Sequence, residues 1–274
     1  MTADLTIAIP VKNEELNLAA CLTAIGPGFA KNIVVIDSGS TDNTKAIALA
    51  FGATVIDFKW DGRFPKKRNW FLQNHRVKTK WILFLDADEY LTDAFKTEVL
   101  EKLDKDDKNG YQLNYTIYFL GKPLRGGYPL RKLALFKANA GEYEHIEEDR
   151  WSNLDMEVHE HALIPGPIGV INSKIDHRDE RSISHYLNKH NEYALWEAER
   201  YLQTCKDKAY YKTLNLNQRL KYALLRSSLV GPVYFFGSFF LLGGFRDGSR
   251  GWVFAFLKAS YFTQVYCLIK DKQV

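Results

Sequence analysis

Asp86, Asp88 and Glu89 place three carboxylates within four residues, directly behind the apolar run Trp81 to Leu85. Like charges this close repel one another, and a divalent cation between them relieves the repulsion. An oxygen donor set of this kind suits Mg2+ or Mn2+. The same residues also fit a solvated acidic turn, or a helix N-cap formed by Asp88 or Thr92, with no chemistry attached. Five consecutive apolar residues suit a strand buried on both faces. The carboxylates then stand where the strand leaves the sheet, the edge at which open α/β sheets hold their ligands.

The elements that would position this turn follow from the first hundred residues. Leu5 to Val11 reads as a buried strand stopped at Pro10, and Asn13 to Ile25 as an amphipathic helix with Leu16, Ala20 and Ile25 inward. Asn32 to Asp37 is a second strand, broken by Ser38-Gly39-Ser40. A helix from about Thr41 to Phe51 follows, with Gly52 at its C′ position. Ala53 to Phe58 reads as a third strand, Arg68 to about Val77 as a helix, and Lys80 to Leu85 as the fourth strand. Strands alternating with helices imply a mostly parallel sheet covered on both faces.

Three of these strands end in polar residues: Lys12-Asn13-Glu14, Asp37-Ser38-Gly39-Ser40 and Asp86-Ala87-Asp88. Parallel strands bring such ends to one edge, so residues tens of positions apart line one crevice. No G-x-G-x-x-G follows a strand and no G-x-x-x-x-G-K-[ST] occurs, which weakens dehydrogenase and nucleoside-triphosphatase readings.

At 274 residues the chain accommodates one large α/β domain, or one domain with an appendage. A net charge of +4 without a basic stripe or recognised binding motif gives no nucleic-acid signature. Cys21, Cys205 and Cys267 lack paired or metal-ligand spacing and read as reduced thiols. The opening Met-Thr-Ala-Asp runs into a strand pattern rather than a signal core, so the expectation is a cytoplasmic protein.

Taken together, Ile9-Pro10-Val11-Lys12-Asn13-Glu14, Val34 to Thr44, Arg68-Asn69 and Leu83 to Glu89 resemble the family-2 glycosyltransferases with the GT-A fold. The resemblance implies that Pro10, Val11, Lys12, Asn13 and Glu14, with Asp37 and Ser38, hold the base and ribose of a nucleotide-sugar donor. Arg68, with Lys67, would face the diphosphate, where a guanidinium pairs bidentately with phosphate oxygens. A solvated basic turn is the plainer reading of Lys66-Lys67-Arg68. Asp88 would ligate the Mg2+ or Mn2+ that bridges the diphosphate, and Asp86 would contact the ribose or a metal-bound water. Many members carry two consecutive aspartates where this chain has Asp37-Ser38, which leaves the base of the donor open.

Farther along, Gly126 to Phe136, Met156-Glu157-Val158-His159-Glu160-His161, Asp176 to Asp179 and Ile183 to Asn191 resemble a bacterial subfamily that builds lipopolysaccharide cores and related surface polysaccharides. In inverting transfer one carboxylate takes the proton of the acceptor hydroxyl. The resemblance points to Glu160, with Glu147, Glu148, Asp149 and Glu157 as competing carboxylates. His159 would orient that base or contact the diphosphate, and His177 would complete the metal shell. A zinc-hydrolase reading of His159-Glu160-His161 is the weaker one, because H-E-x-x-H is absent and i, i+2 histidines diverge on a helix and come together only on a strand.

From Ser227 to Phe245 the chain carries no charge between Arg226 and Arg246. That length only just crosses a ~30 Å hydrocarbon layer, and Pro232 with several glycines favours a broken or re-entrant segment. Gly251 to Ile269 is again aromatic and apolar, interrupted by Lys258, and suits a helix at an anionic lipid surface; packing on the catalytic domain or a dimer interface would use the same residues.

The expectation is therefore an α/β GT-A catalytic domain over residues 1-205, divided at about residue 100 into a nucleotide-sugar half and an acceptor half. A helical, membrane-associating extension over 206-274 follows. The expected function is an inverting, metal-dependent transferase using a nucleotide-sugar, UDP-linked in preference. Its expected acceptor is lipid-linked or lipopolysaccharide-type, at the cytoplasmic side of a bacterial inner membrane, with oligomerisation possible. A non-catalytic donor-binding or scaffold subunit is the alternative.

Overall fold

The computed structural model describes residues 2–145, 161–206, 211, 214 and 216–273. The chain divides into two compact units. The first comprises residues 1–121 and 130–180, the second residues 122–129 and 181–274.

The first unit contains a mixed sheet of β1 (Ala3–Val11), β2 (Ala30–Asp37), β3 (Thr54–Asp57), β4 (Trp81–Phe84), β5 (Glu89–Tyr90), β6 (Gly110–Phe119), β8 (Arg131–Lys137) and β11 (Ile168–His177). A two-residue β7 (Lys122–Pro123) lies in the second unit, and β9 (Glu142–Tyr143) pairs with β10 (Ala162–Leu163) in a separate ladder. The strand order is β3-β2-β1-β4-β8-β6-β11-β5. The first four strands in that order are parallel, as expected; β8 runs antiparallel to both β4 and β6, and β5 antiparallel to β11.

Alternation along β1 shows why the sheet is covered twice. Leu5, Ile7 and Ile9 pack with Cys21, Leu22 and Phe95, which α1 (Leu18–Ile25) and α4 (Asp93–Lys105) bring to one face. Ala8 points the other way, into a cluster with Ile36, Ile82, Phe84 and Phe71, the last from α3 (Lys67–Asn74).

Helix α1 corrects one expectation. It begins at Leu18 rather than Asn13, so Leu18, Cys21, Leu22 and Ile25 form the inward stripe, while Leu16 is 64% exposed and Ala20 is exposed. The reason is local: the Asn13 backbone is left-handed at φ 56°, which ends the strand in a loop before the helix can start. Helix α2 (Thr44–Ala50) closes as expected, with Gly52 at φ 74° just past its C-cap Phe51. Thr92 caps α4 by accepting the Phe95 amide at 3.2 Å, which leaves Asp88 out of the capping role.

The second unit is helical: α5 (Ile183–Lys206), α6 (Leu216–Leu224), α7 (Val230–Phe236) and α8 (Gly248–Asp271). The uncharged stretch 227–245 is broken, passing from α7 through a π-helical turn (Gly237–Leu241) to a 3-10 turn (Gly244–Asp247). Among the described residues one helical run, Gly244–Asp271, is long and apolar enough to cross a membrane by length and composition. Residues 125–127 are bound to this unit: the amides of Arg125 and Gly126 donate to the Asp247 carboxylate. A Cβ on Gly126 would lie 2.4 Å from the Gly243 carbonyl oxygen, so only glycine fits that approach.

Candidate active site at the strand ends

The ends of β1 and β2 are tied together before any ligand is considered. The Asn13 amide donates to Ser40 Oγ at 2.8 Å, and the Thr41 amide donates back to Asn13 Oδ1 at 2.8 Å. The Glu14 amide donates to Thr44 Oγ1 at 2.8 Å, the Glu15 amide donates to Asp42 Oδ2 at 3.1 Å, and the Asn43 amide donates back to Glu15 Oε2 at 3.1 Å. Asp37 is fully buried and accepts the Gly39 amide at 2.9 Å and the Ser40 amide at 3.0 Å, with the Ser40 hydroxyl also donating to it. Burial pushes its pKa up, but the Ser40 hydroxyl, these amides and Lys45 outweigh that and hold it below the usual value. Asp37 thus shapes the turn that carries Ser38. Ser38 Oγ is buried without a partner among the described residues, a polar atom available to a ligand.

The third strand end is a charge cluster. Arg68 Nη2, from the first turn of α3, donates to Asp86 Oδ1 at 2.7 Å; Lys132 Nζ, from β8, donates to Asp86 Oδ2 at 2.6 Å and to Glu89 Oε1 at 2.5 Å. Burial alone would favour a neutral Asp86, but Lys132 and Arg68 hold its carboxyl well below the ordinary range. Glu89, 1% exposed, goes the other way: burial and the Asp86 charge raise it to about 7 against the pull of Lys132. Lys67, expected near the diphosphate, is buried and donates to the Val11 carbonyl at 3.0 Å.

Asp88 is 6% exposed, and its carbonyl accepts the Arg178 amide at 2.7 Å. The antiparallel pairing of β5 with β11 sets His177 opposite Glu89, and its Nε2 comes 3.7 Å from Asp88 Oδ1. Among the described residues no three His, Cys, Asp or Glu side chains form a ready-made metal cage. Asp88 and His177 nevertheless fit a divalent ion that takes most of its shell from diphosphate oxygens and water, because Mg2+ commonly uses only one or two carboxylates of protein. Both oxygens of Asp86 already meet cations, which makes Asp86 the weaker candidate ligand.

His159 and Glu160, with Glu147, Glu148, Asp149 and Glu157, lie outside the described residues. The described residues on either side are joined: the Glu144 amide donates to the His161 carbonyl at 3.0 Å, and Tyr143 pairs with Ala162. Asn69, buried on α3, holds this ladder by exchanging two hydrogen bonds with the Tyr143 backbone, at 2.8 and 2.9 Å. Arg68 lies over the Tyr143 ring, 5.4 Å from its centroid.

Sequence reasoning missed Lys132, the partnership of Glu89 and the anchoring role of Asn69. The available signal for Lys132 was the basic pair Arg131-Lys132 directly before the apolar run Leu133 to Phe136.

Residues 6–159 match the family model described as Glycosyl transferase family 2. The chain is 26% identical over 277 residues to the lipopolysaccharide core biosynthesis glycosyltransferase LpsC of Rhizobium meliloti, covering 93% of this chain and 90% of that one. It is 24% identical to an uncharacterized glycosyltransferase of Rickettsia typhi, covering 91% and 82%. A crystal structure of glucosyl-3-phosphoglycerate synthase from Mycobacterium tuberculosis, in complex with Mn2+, UDP and glucosyl-3-phosphoglycerate, is similar at 20% identity with a TM-score of 0.32. That match covers 43% of this chain and 44% of the solved one, less than half of either, and adds nothing to the strand order itself.

Proposed function

Because the chain belongs to glycosyl transferase family 2, with the GT-A fold, and is a glycosyltransferase, we propose that it is an inverting, divalent-metal-dependent enzyme using a nucleoside-diphosphate sugar, UDP-linked in preference. Its acceptor is a lipid-linked or lipopolysaccharide-type saccharide, met at the cytoplasmic face of a bacterial inner membrane. The observation that carries this reading is the cluster at the end of β4, where Arg68, Lys132, Asp86 and Glu89 adjoin Asp88 and His177.

Each group has a distinct task. The laced turns after β1 and β2 hold the nucleoside, with the Ser38 hydroxyl facing it. Asp88 and His177 would hold Mg2+ or Mn2+, which when bound supplies positive charge to the departing diphosphate. Arg68 and Lys132, already set in place by Asp86, present N–H donors to the phosphate oxygens, where charge grows in the transition state. Glu160 takes the proton of the acceptor hydroxyl as that oxygen bonds to the anomeric carbon. The bond to the diphosphate breaks on the opposite face, and its electron pair leaves with the nucleoside diphosphate. Exposed Phe236, Phe240, Leu241, Phe245, Trp252 and Phe256 of the second unit support seating at a lipid surface.

The test is a thermal-shift panel of UDP-, dTDP- and GDP-sugars with and without Mn2+, on the wild type and Asp88→Ala, followed by transfer assays. A metal-dependent shift with one nucleotide, lost in the variant, is expected. Normal transfer by Asp88→Ala would overturn the metal assignment.

A further inference from the structure

The second unit contains a cavity of about 410 Å³ lined by Tyr128, Val233, Tyr234, Leu242, Lys258 and Phe262 among others. Its walls are almost wholly apolar. The rings of Tyr234 and Phe262 stack at 3.5 Å between centroids, and Ser238, the small polar residue on its rim, is already committed to the Gly127 carbonyl at 2.6 Å. Among the described residues of the lining, the one charge is the Lys258 ammonium. It stands 4.8 Å from the centroid of the Tyr128 ring and 5.7 Å from that of Phe254, and no carboxylate meets it among the described residues.

A cation held only by ring faces beside an apolar hollow is an incomplete arrangement. Cation–π contact offsets part of its desolvation, but an anion would offset far more. The apolar volume and the lone ammonium together describe a ligand with a hydrocarbon chain and a negative head. Around the same unit Val233, Phe236, Leu241, Leu242 and Phe256 are 47%, 59%, 86%, 48% and 58% exposed, a surface suited to the hydrocarbon edge of a bilayer. The abundant molecule of that chemistry at such a surface is a membrane phospholipid.

The geometry points to a specific site for one anionic glycerophospholipid, its acyl chain in the cavity and its phosphate on Lys258. This rests on the proposed membrane seating and adds to it an individually bound lipid.

Short-chain lipids below their micellar concentration test the site without any bilayer. Dihexanoyl phosphatidic acid is expected to raise the melting temperature of the full-length protein. Dihexanoyl phosphatidylcholine should do so less, and inorganic phosphate not at all, because phosphate alone brings no chain. Lys258→Met, which removes a cation lacking a counter-ion and so should fold well, is expected to weaken the phosphatidic acid response roughly tenfold. Lys258→Arg should restore most of it. An unchanged response in Lys258→Met, an equal response to phosphate alone, or no response in the wild type would overturn the site. Sedimentation with phosphatidylcholine–phosphatidylglycerol vesicles, run beside it, reports membrane seating separately: vesicle binding without the short-chain response would sink the lipid site alone, and loss of vesicle binding would sink the seating.

Discussion

Lys132 Nζ lies 2.6 Å from Asp86 Oδ2 and 2.5 Å from Glu89 Oε1, so one ammonium on β8 closes an acidic turn more than forty residues upstream. With Arg68 on the other oxygen of Asp86, the turn is neutralised from two elements that approach each other only in the folded sheet. The carboxylates of Asp86 and Glu89 therefore need no metal to tolerate one another.

Lys132→Met should be among the more damaging single changes in the first unit. It leaves Glu89 buried beside Asp86 and Asp88 with its counter-charge gone, a loss of about 3 kcal/mol in unfolding free energy by denaturant titration. A loss under about 0.5 kcal/mol would mean that the three groups do not act as a unit.

Asp88 and His177 should separate by degree. Asp88→Ala is expected to lower kcat by about a hundredfold or more. His177→Ala should raise the Mn2+ concentration needed for half-maximal activity by about tenfold, with less effect on the rate at saturating metal. Equal metal dependence in His177→Ala and the wild type would remove His177 from the metal shell.

Asn69→Ala breaks two buried hydrogen bonds to the Tyr143 backbone and should cost about 2 kcal/mol of stability. Because Tyr143 belongs to the ladder that flanks the segment carrying Glu160, kcat should fall by a larger factor than donor binding. A variant that loses donor affinity with kcat intact would place Asn69 at the donor instead.

Asp37 predicts an acid dependence whose sign follows from its lowered folded-state pKa. The unfolded chain holds its proton up to a higher pH, so the contribution of Asp37 is present above about pH 4, its ordinary value, and fades as pH falls through the lower folded value. Asp37→Asn should be about 1–3 kcal/mol less stable than the wild type at pH 7. The gap should narrow below about pH 4; a gap independent of pH would remove the carboxylate charge as its source.

Leu241 is 86% exposed, so Leu241→Asp should change stability by no more than about 0.5 kcal/mol. Recovery of the protein with phosphatidylcholine–phosphatidylglycerol vesicles should nevertheless drop. Unchanged vesicle recovery would move the membrane contact to another face.

The sequence by itself determined the parallel half of the sheet and the three polar strand ends, because both are written in local patterns: apolar runs of strand length, then turn and charged residues. It also weakened a single straight span over 227–245, since Pro232 and clustered glycines oppose one straight helix, and the structure interrupts the stretch with π and 3-10 turns. The start of α1 was not legible. Leu16 and Ala20 fit the apolar period, yet the left-handed backbone at Asn13 and the hydrogen bonds between the loops delay the helix to Leu18. Only the tertiary structure decided which residues complete the acidic turn. Lys132 reaches Asp86 because β8 pairs antiparallel with β4, and His177 reaches Asp88 because β11 pairs with β5. Pairing register between strands far apart in the chain is set by packing across the whole sheet, which no window of residues contains.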